Sequence, residues 1–432
     1  MHEDDIDRLL AGTYPDPEGG GALCAPTRSV RIDDTLEGLE AEAVRGLDLG
    51  SRLAVVSDAT THAVLGDRVE RALAAAWCVD SVVLPERPRP DMDTVERVRA
   101  ATTAADALIA VGSGTINDLC KCASARDGKP YAVFGTAPSM NGYTAANAAI
   151  TVHGHKKSLP AQVPAGVFLD LRILCAAPAR MIRSGLGDSL CRSTAQADWL
   201  LAHLLLDEPY REAPYALLAA DEEALFAESA ALLAGDRDAM RRLARTLVLS
   251  GLGMTLCASS RPASGGEHLI SHYLDMMSPP QRPQFFHGEQ VGVATLTVAT
   301  LQERMLEGGP PRIGATVTGR DEVIAHFGPE MGRDCWEELA PKRIDGDAVD
   351  AFNERLDARW DAIRERIAAV ARPAAALREV LAGAAARRTH ADIGADARLY
   401  GDAVMHAREL RNRYTFLDLG ADACMLDEVI PG

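Results

Sequence analysis

Hydrophobic and polar positions change rhythm once along this chain. LAVVS (53–57), SVVL (81–84), ALIAVG (107–112) and YAVFG (131–135) are short, continuous apolar runs of the kind that form buried strands. Between them the periodicity predicts helices over 62–76, 93–104 and 115–125. Such alternation predicts parallel β/α units, whose ligands bind beyond the carboxyl ends of the strands. Two or three further extended pieces are expected in 145–170, around the turn HGHKKS. After Pro178, segments rich in Ala, Leu, Arg and Glu at 188–206, 220–257, 286–305 and 348–388 carry a helical period. The expected organisation is a lead-in over 1–50, an α/β domain over 51–177 and an all-α domain over 178–432. Within the lead-in, residues 1–27 are rich in Gly, Pro and Asp and are expected to be irregular.

One helical segment poses a question. In SGGEHLISHYLDMM (264–277), His268, His272 and Asp275 fall on one stripe, at i, i+4 and i+7. The other sides are apolar, and a helix apolar around most of its circumference is normally buried. Two more polar residues open apolar helices: Asp188 in SGLGDSL and His287 in FFHGEQVGVATL. Taken singly, an acid in a first turn is a cap and a lone histidine a structural residue. Taken together, one carboxylate and two imidazoles are an accepted ligand set for a divalent metal with open positions for substrate. Spacing alone does not select that triple.

VGSGTINDLCK (111–121) places Gly112 and Gly114 directly after a strand and at the opening of a helix. Glycines there let a pyrophosphate approach the backbone and the helix N-terminus. Asn117 stands where the third glycine of G-x-G-x-x-G would be, and no P-loop lysine follows, so a plain strand-to-helix turn fits equally well. Asp58, just past LAVVS, could accept from ribose hydroxyls or simply cap the next helix. Cys120 and Cys122 diverge in direction on a helix and carry little weight as metal ligands.

Composition narrows the function classes. The 432 residues are 47% hydrophobic and 25% charged, ordinary for a globular protein. A net charge of −17 argues against nucleic acid or an anionic membrane as the main partner. No run of about 18 apolar residues predicts a membrane span, and the acidic start MHEDDIDRLL lacks a signal-peptide layout. Nine scattered cysteines suit reduced thiols in a cytoplasm. Neither G-x-S-x-G nor H-E-x-x-H is present. Lysine occurs only at Lys121, Lys129, Lys156, Lys157 and Lys342 against a large arginine load, which makes each retained lysine informative.

The motifs together resemble the sn-glycerol-1-phosphate dehydrogenases, within the superfamily of metal-dependent (iron-containing-type) alcohol dehydrogenases, glycerol dehydrogenase and dehydroquinate synthase. The resemblance is carried, in family order, by VVSDATT (55–61), VGSGTINDLCK (111–121), GTAPSMNGYTAANAAI (135–150), KKSLPAQVPAGVFLDL (156–171), APARMIRSGLGDSL (177–190), SGGEHLISHYLDM (264–276), HGEQVGV (287–293) and RNRYTFLDL (411–419). It implies a Rossmann-like parallel-sheet domain followed by an all-α domain, with the active site in the cleft between them. It implies Asp188, His268 and His287 as ligands of one divalent ion, zinc foremost, with nickel or iron as alternatives. For NAD or NADP it implies Gly112, Ser113, Gly114 and Thr115 at the pyrophosphate turn and Asp58 at the adenosine ribose. Thr136, Ser139 and Thr144 would lie on the cofactor side. Asp118, Asn141, Lys157 and His272 would lie near nicotinamide and substrate. The implied reaction interconverts dihydroxyacetone phosphate and sn-glycerol 1-phosphate in a cytoplasmic homo-oligomer. The alternatives are a glycerol-dehydrogenase-like enzyme on a non-phosphorylated polyol and a dehydroquinate-synthase-like lyase. The family usually has Asp where SMNGY has Asn141.

Overall fold

The computed structural model describes residues 4–279 and 281–431. Its centre is a six-stranded, all-parallel sheet made of β1 (Ser29–Asp33), β2 (Arg52–Asp58), β3 (Cys78–Leu84), β4 (Ala107–Gly112), β5 (Tyr131–Gly135) and β6 (Gly166–Asp170). The spatial order is β1-β6-β5-β4-β2-β3. Leu53, Ala54, Val55 and Val56 of β2 and the whole Ala107–Val111 run of β4 are fully buried, as parallel strands covered on both faces require. The four strands expected between 51 and 135 are all present. The lead-in is more ordered than its composition suggests. It contains a helix (Asp5–Leu10), a two-stranded ribbon (Tyr14–Pro15 with Ala22–Leu23) and β1, which pairs with β6 at the sheet edge.

After β3 the chain crosses back over β2 and continues with β4 on its other side, so the winding direction reverses between β2 and β4. Asp58 ends β2 and Gly112 ends β4. Both therefore stand at the carboxyl ends of the two strands flanking the switch point, where open α/β sheets take their ligands. Helix α1 (Gly114–Asp127) follows β4 directly, and Asn147–Val152 pairs with His155–Pro160 as a separate hairpin.

The later helices are α2 (Ala179–Leu206), α3 (Arg237–Leu256), α4 (Gly266–Met277) and α5 (His287–Glu307). The 220–257 segment is broken where Gly235 adopts a left-handed φ of 76° and Asp236 then caps α3 by accepting from the Ala239 N–H. Likewise 348–388 is split ahead of Pro373 into Ala348–Ala368 and Ala374–Gly383. Two compact units result: residues 1–152, 156–189 and 212–260, and residues 153–155, 190–211 and 261–432. Helix α3 thus belongs with the sheet: Arg241 donates to the Ile32 carbonyl and to Asp34, just past β1. The core of the second unit gathers Leu269, Ile270 and Leu274 of α4, Val293 and Ala294 of α5, and Leu200 and Leu201 of α2. Among the described residues, no helix is long and apolar enough to cross a membrane.

Candidate metal and cofactor site

Asp188 of α2, His268 of α4 and His287, the first residue of α5, each present a ligand atom, and these atoms all lie within 4.8 Å of one another. Asp188 and His268 are buried. The imidazoles of the second unit form a cluster: the His268 and His287 ring centroids are 4.9 Å apart, and His272 stacks on His287 at 5.7 Å. The stripe read along α4 is therefore only partly right. Asp275 is exposed at the end of the helix and accepts from Gln290 Nε2 at 2.8 Å. The carboxylate that joins the histidines is Asp188, from another helix.

Each of the three is held by a neighbour. The Asn141 N–H donates to Asp188 Oδ2 at 2.7 Å, Glu267 Oε1 lies 3.0 Å from His268 Nδ1, and Ser271 Oγ lies 3.2 Å from His287 Nδ1. A carboxylate and two imidazoles, each fixed from outside, are the donor set and support that a divalent ion needs. A second cluster, Cys191, Glu267 and His268, is equally close. It fits an ion less well. Glu267 already spends both oxygens on the Gly265 N–H (2.6 Å), His268 and the Thr194 hydroxyl (2.9 Å), and the Cys191 thiol donates to the Ala263 carbonyl. Burial alone would raise Glu267, but the hydrogen bonds it accepts from His268 and from the Gly265 N–H hold the carboxyl below its ordinary range.

Asn141 sits in a tightly built loop. A Cβ on Gly185 of α2 would collide with the Pro138 carbonyl, and one on Gly251 of α3 would lie 2.8 Å from the Asn141 carbonyl oxygen. Glycine at both positions lets the two helices close on the loop. Ser184 Oγ donates to the Ser139 carbonyl (2.9 Å) and Thr144 Oγ1 to the Val248 carbonyl (2.6 Å), so Thr144 ties the loop to α3. The Asn141 Nδ2 amide is buried with no protein partner among the described residues.

Lys121, unassigned from the sequence, is the anchor of this loop. It is fully buried, and its ammonium donates to the Gly142 carbonyl (2.6 Å) and the Asn147 carbonyl (3.1 Å). Burial pulls it down to about 8, although the Asp118 carboxylate opposes the shift. Asp118, expected near the nicotinamide, accepts from the Ala149 N–H at 3.1 Å and faces Lys121 at 4.0 Å. Burial raises its carboxyl, with Lys121 the main counterweight. In this structure its contacts fasten the hairpin that begins at Asn147.

At the switch point, a Cβ on Gly112 would lie 2.6 Å from Ile116 and one on Gly114 would lie 3.1 Å from Met140. Ser113, at the N-cap of α1, makes no side-chain capping bond, so its side chain does not satisfy the first N–H groups of the helix. Asp58 adopts the capping role: it accepts from the Thr61 N–H at 2.8 Å in a reciprocal capping box. Thr136 donates its N–H to the Gly112 carbonyl (3.1 Å) and is buried, as is Ser139. Thr115 lies in the first turn of α1, and Lys157 lies half-buried in the hairpin strand His155–Pro160. All nine cysteines are free thiols.

Comparison with known proteins agrees with this architecture. Residues 34–178 match the family described as iron-containing alcohol dehydrogenase. The glycerol-1-phosphate dehydrogenase [NAD(P)+] of Pyrococcus furiosus is 36% identical over 275 residues, 63% of this chain and 78% of the relative. The Bacillus subtilis protein of the same name is 33% identical over 314 residues, 70% of this chain and 79% of the relative. Among solved structures, maleylacetate reductase from Agrobacterium tumefaciens superposes with a TM-score of 0.60 at 17% identity, covering 94% of this chain and 97% of that one. That likeness speaks for the fold alone. At the identity and coverage of the first two relatives, the chain belongs to the glycerol-1-phosphate dehydrogenase family, of the iron-containing alcohol dehydrogenase type.

Proposed function

We propose that this protein is an NAD(P)-dependent oxidoreductase that interconverts dihydroxyacetone phosphate and sn-glycerol 1-phosphate with the help of one divalent ion. The observation that carries the reading is the convergence of Asp188, His268 and His287 donor atoms within 4.8 Å. These three residues would hold the ion, and Asn141, Glu267 and Ser271 keep them oriented. When bound, the ion supplies Lewis acidity toward the substrate's carbonyl oxygen and the nicotinamide supplies the hydride. Zinc suits two imidazoles and one carboxylate, with nickel and iron as the alternatives.

The protein's own part is binding and orientation. Gly112, Ser113, Gly114 and Thr115 receive the pyrophosphate at the start of α1. Asp58 meets the adenosine ribose through the carboxylate oxygen that its cap does not use. Thr136 and Ser139 sit toward the nicotinamide, and Thr144 holds their loop to α3. The buried Asn141 amide is a donor in need of an acceptor, and an oxygen of substrate or cofactor would satisfy it. Lys157 is assigned to the substrate phosphate, for which a compact ammonium is well suited, and His272 to a polar contact near it. Asp118 supports the hairpin. The nine free thiols suit a cytoplasmic setting. The sheet edge at β3, where Val83 is 46% exposed, is a candidate for contact within a homo-oligomer.

The test is a coupled assay. Purified protein with NADH or NADPH and dihydroxyacetone phosphate should oxidise the cofactor and yield glycerol phosphate of sn-1 configuration, identified with a stereospecific sn-glycerol-3-phosphate dehydrogenase that leaves it untouched. Faster turnover of free dihydroxyacetone would replace the reading with a polyol dehydrogenase. Phosphate release without net cofactor change would indicate a lyase.

A further inference from the structure

We infer that Glu267 is a positioning residue that sets how His268 meets the ion and how tightly the site holds it; this rests on the metal assignment made above. Glu267 is fully buried at the start of α4, one residue before the ligand. Its Oε1 accepts from the Gly265 N–H at 2.6 Å and lies 3.0 Å from His268 Nδ1, while Oε2 accepts from the Thr194 hydroxyl at 2.9 Å. These contacts lock the carboxylate from two sides. An ionised carboxylate only accepts, so the proton of a neutral His268 must reside on Nδ1. That tautomer makes Nε2, with its lone pair, the ligating atom.

A buried carboxylate behind a ligating imidazole also makes the ring a stronger donor. Glu267 therefore contributes charge to the site without touching the ion. Asp198 supplies the contrast. It is buried in the same unit, but its contacts are the Gly266 N–H (2.7 Å), the Phe416 N–H (2.9 Å) and Gln302 Nε2 (3.3 Å), with no histidine among them. Asp198 is a backbone tie, and Glu267 is a tie with a ligand attached.

The experiment compares Zn²⁺ and Co²⁺ affinity, by chelator competition, in the wild type, Glu267→Gln and Asp198→Asn, with melting of each metal-free protein. Glutamine keeps the shape and removes the charge. Glu267→Gln should weaken binding roughly 10- to 100-fold and shift the visible Co²⁺ bands, while Asp198→Asn stays within about threefold of wild type. Equal affinity in Glu267→Gln and wild type overturns the inference, and so does an equal loss in both variants. A wild type that binds no metal refutes the assignment of the site itself, a separate outcome. Should Glu267→Gln fail to fold, Co²⁺-loaded wild type decides. The inference requires a slowly exchanging, paramagnetically shifted imidazole N–H from His268, and a rapidly exchanging one contradicts it. A sulfur-to-cobalt charge-transfer band would instead place the ion at Cys191 and make Glu267 a direct ligand, which also overturns the inference.

Discussion

Replacing Gly185 by alanine should damage the metal site through the backbone, without touching a ligand. In α2 a Cβ at this position would lie 2.8 Å from the Pro138 carbonyl carbon and nearer still to its oxygen, whereas real Cβ atoms essentially never come within 3.0 Å of another heavy atom. The obstacle is backbone, so no rotamer change relieves it, and helix or loop must retreat by on the order of an ångström. The bonds across the same gap are the Asn141 N–H to Asp188 Oδ2 (2.7 Å) and Ser184 Oγ to the Ser139 carbonyl (2.9 Å). A retreat of that size takes both beyond hydrogen-bonding distance. Overpacking costs about 1–3 kcal/mol and each of the two lost bonds about 1 kcal/mol, so the total is roughly 3–5 kcal/mol. Thermal melting of the metal-free protein should fall by several degrees, and metal affinity should fall as Asp188 loses its support. Gly46→Ala is the control, since a Cβ there meets nothing within 4 Å and φ is −74°. That change should be neutral or slightly stabilising. If Gly185→Ala melts and binds metal like Gly46→Ala, the loop does not hold Asp188 and the argument fails.

Other expected outcomes follow the same contacts. Folding disfavours the charged form of Lys121, whose value falls from 10.5 to about 8. The cost is full below pH 8, where Lys121 is charged folded and unfolded, and disappears as pH rises toward 10.5. The wild type should therefore gain stability relative to Lys121→Met between these pH values, by on the order of 3 kcal/mol; a difference independent of pH in denaturant titrations would contradict the burial argument. Asn141→Asp places a second buried carboxylate beside Asp188, so the metal-free protein should melt lower and recover on loading, with kinetics changed more than about twofold. Equal melting in both forms would mean that the side chain faces away from the site. Lys157→Met should cost roughly ten- to a hundredfold in kcat/KM on dihydroxyacetone phosphate and little on dihydroxyacetone; equal losses on both ketones would remove the residue from phosphate recognition.

The parallel sheet was legible because β2, β4 and β5 are buried on both faces and read as continuous apolar runs. β1 was not: SVRID carries two charges and sits at an edge with only partial burial, so nothing in its local pattern marks a strand. The histidines of the candidate site were visible through the motifs EHLISHYLDM and HGEQVGV. Periodicity also puts Asp275 on the stripe of His268, but that carboxylate is exposed where α4 ends and accepts from Gln290. Asp188 stands far from both histidines in the chain, so no spacing pattern selects it. Glu267 reads in sequence as an acid favoured in a helix's first turn, and only the fold puts its oxygens against His268 and Thr194. Lys121 likewise shows as one retained lysine among few, and its partners at Gly142 and Asn147 exist only once the loop is folded.

The most direct test of the central claim joins metal content to turnover in one preparation. Elemental analysis of active protein should give about one divalent ion per chain, chelation should abolish NAD(P)H-dependent reduction of dihydroxyacetone phosphate, and one equivalent of Zn²⁺, Ni²⁺ or Fe²⁺ should restore it. His287→Ala should lose metal and activity together, because an open three-ligand site has no ligand to spare. Full activity in a preparation free of bound metal would contradict the account.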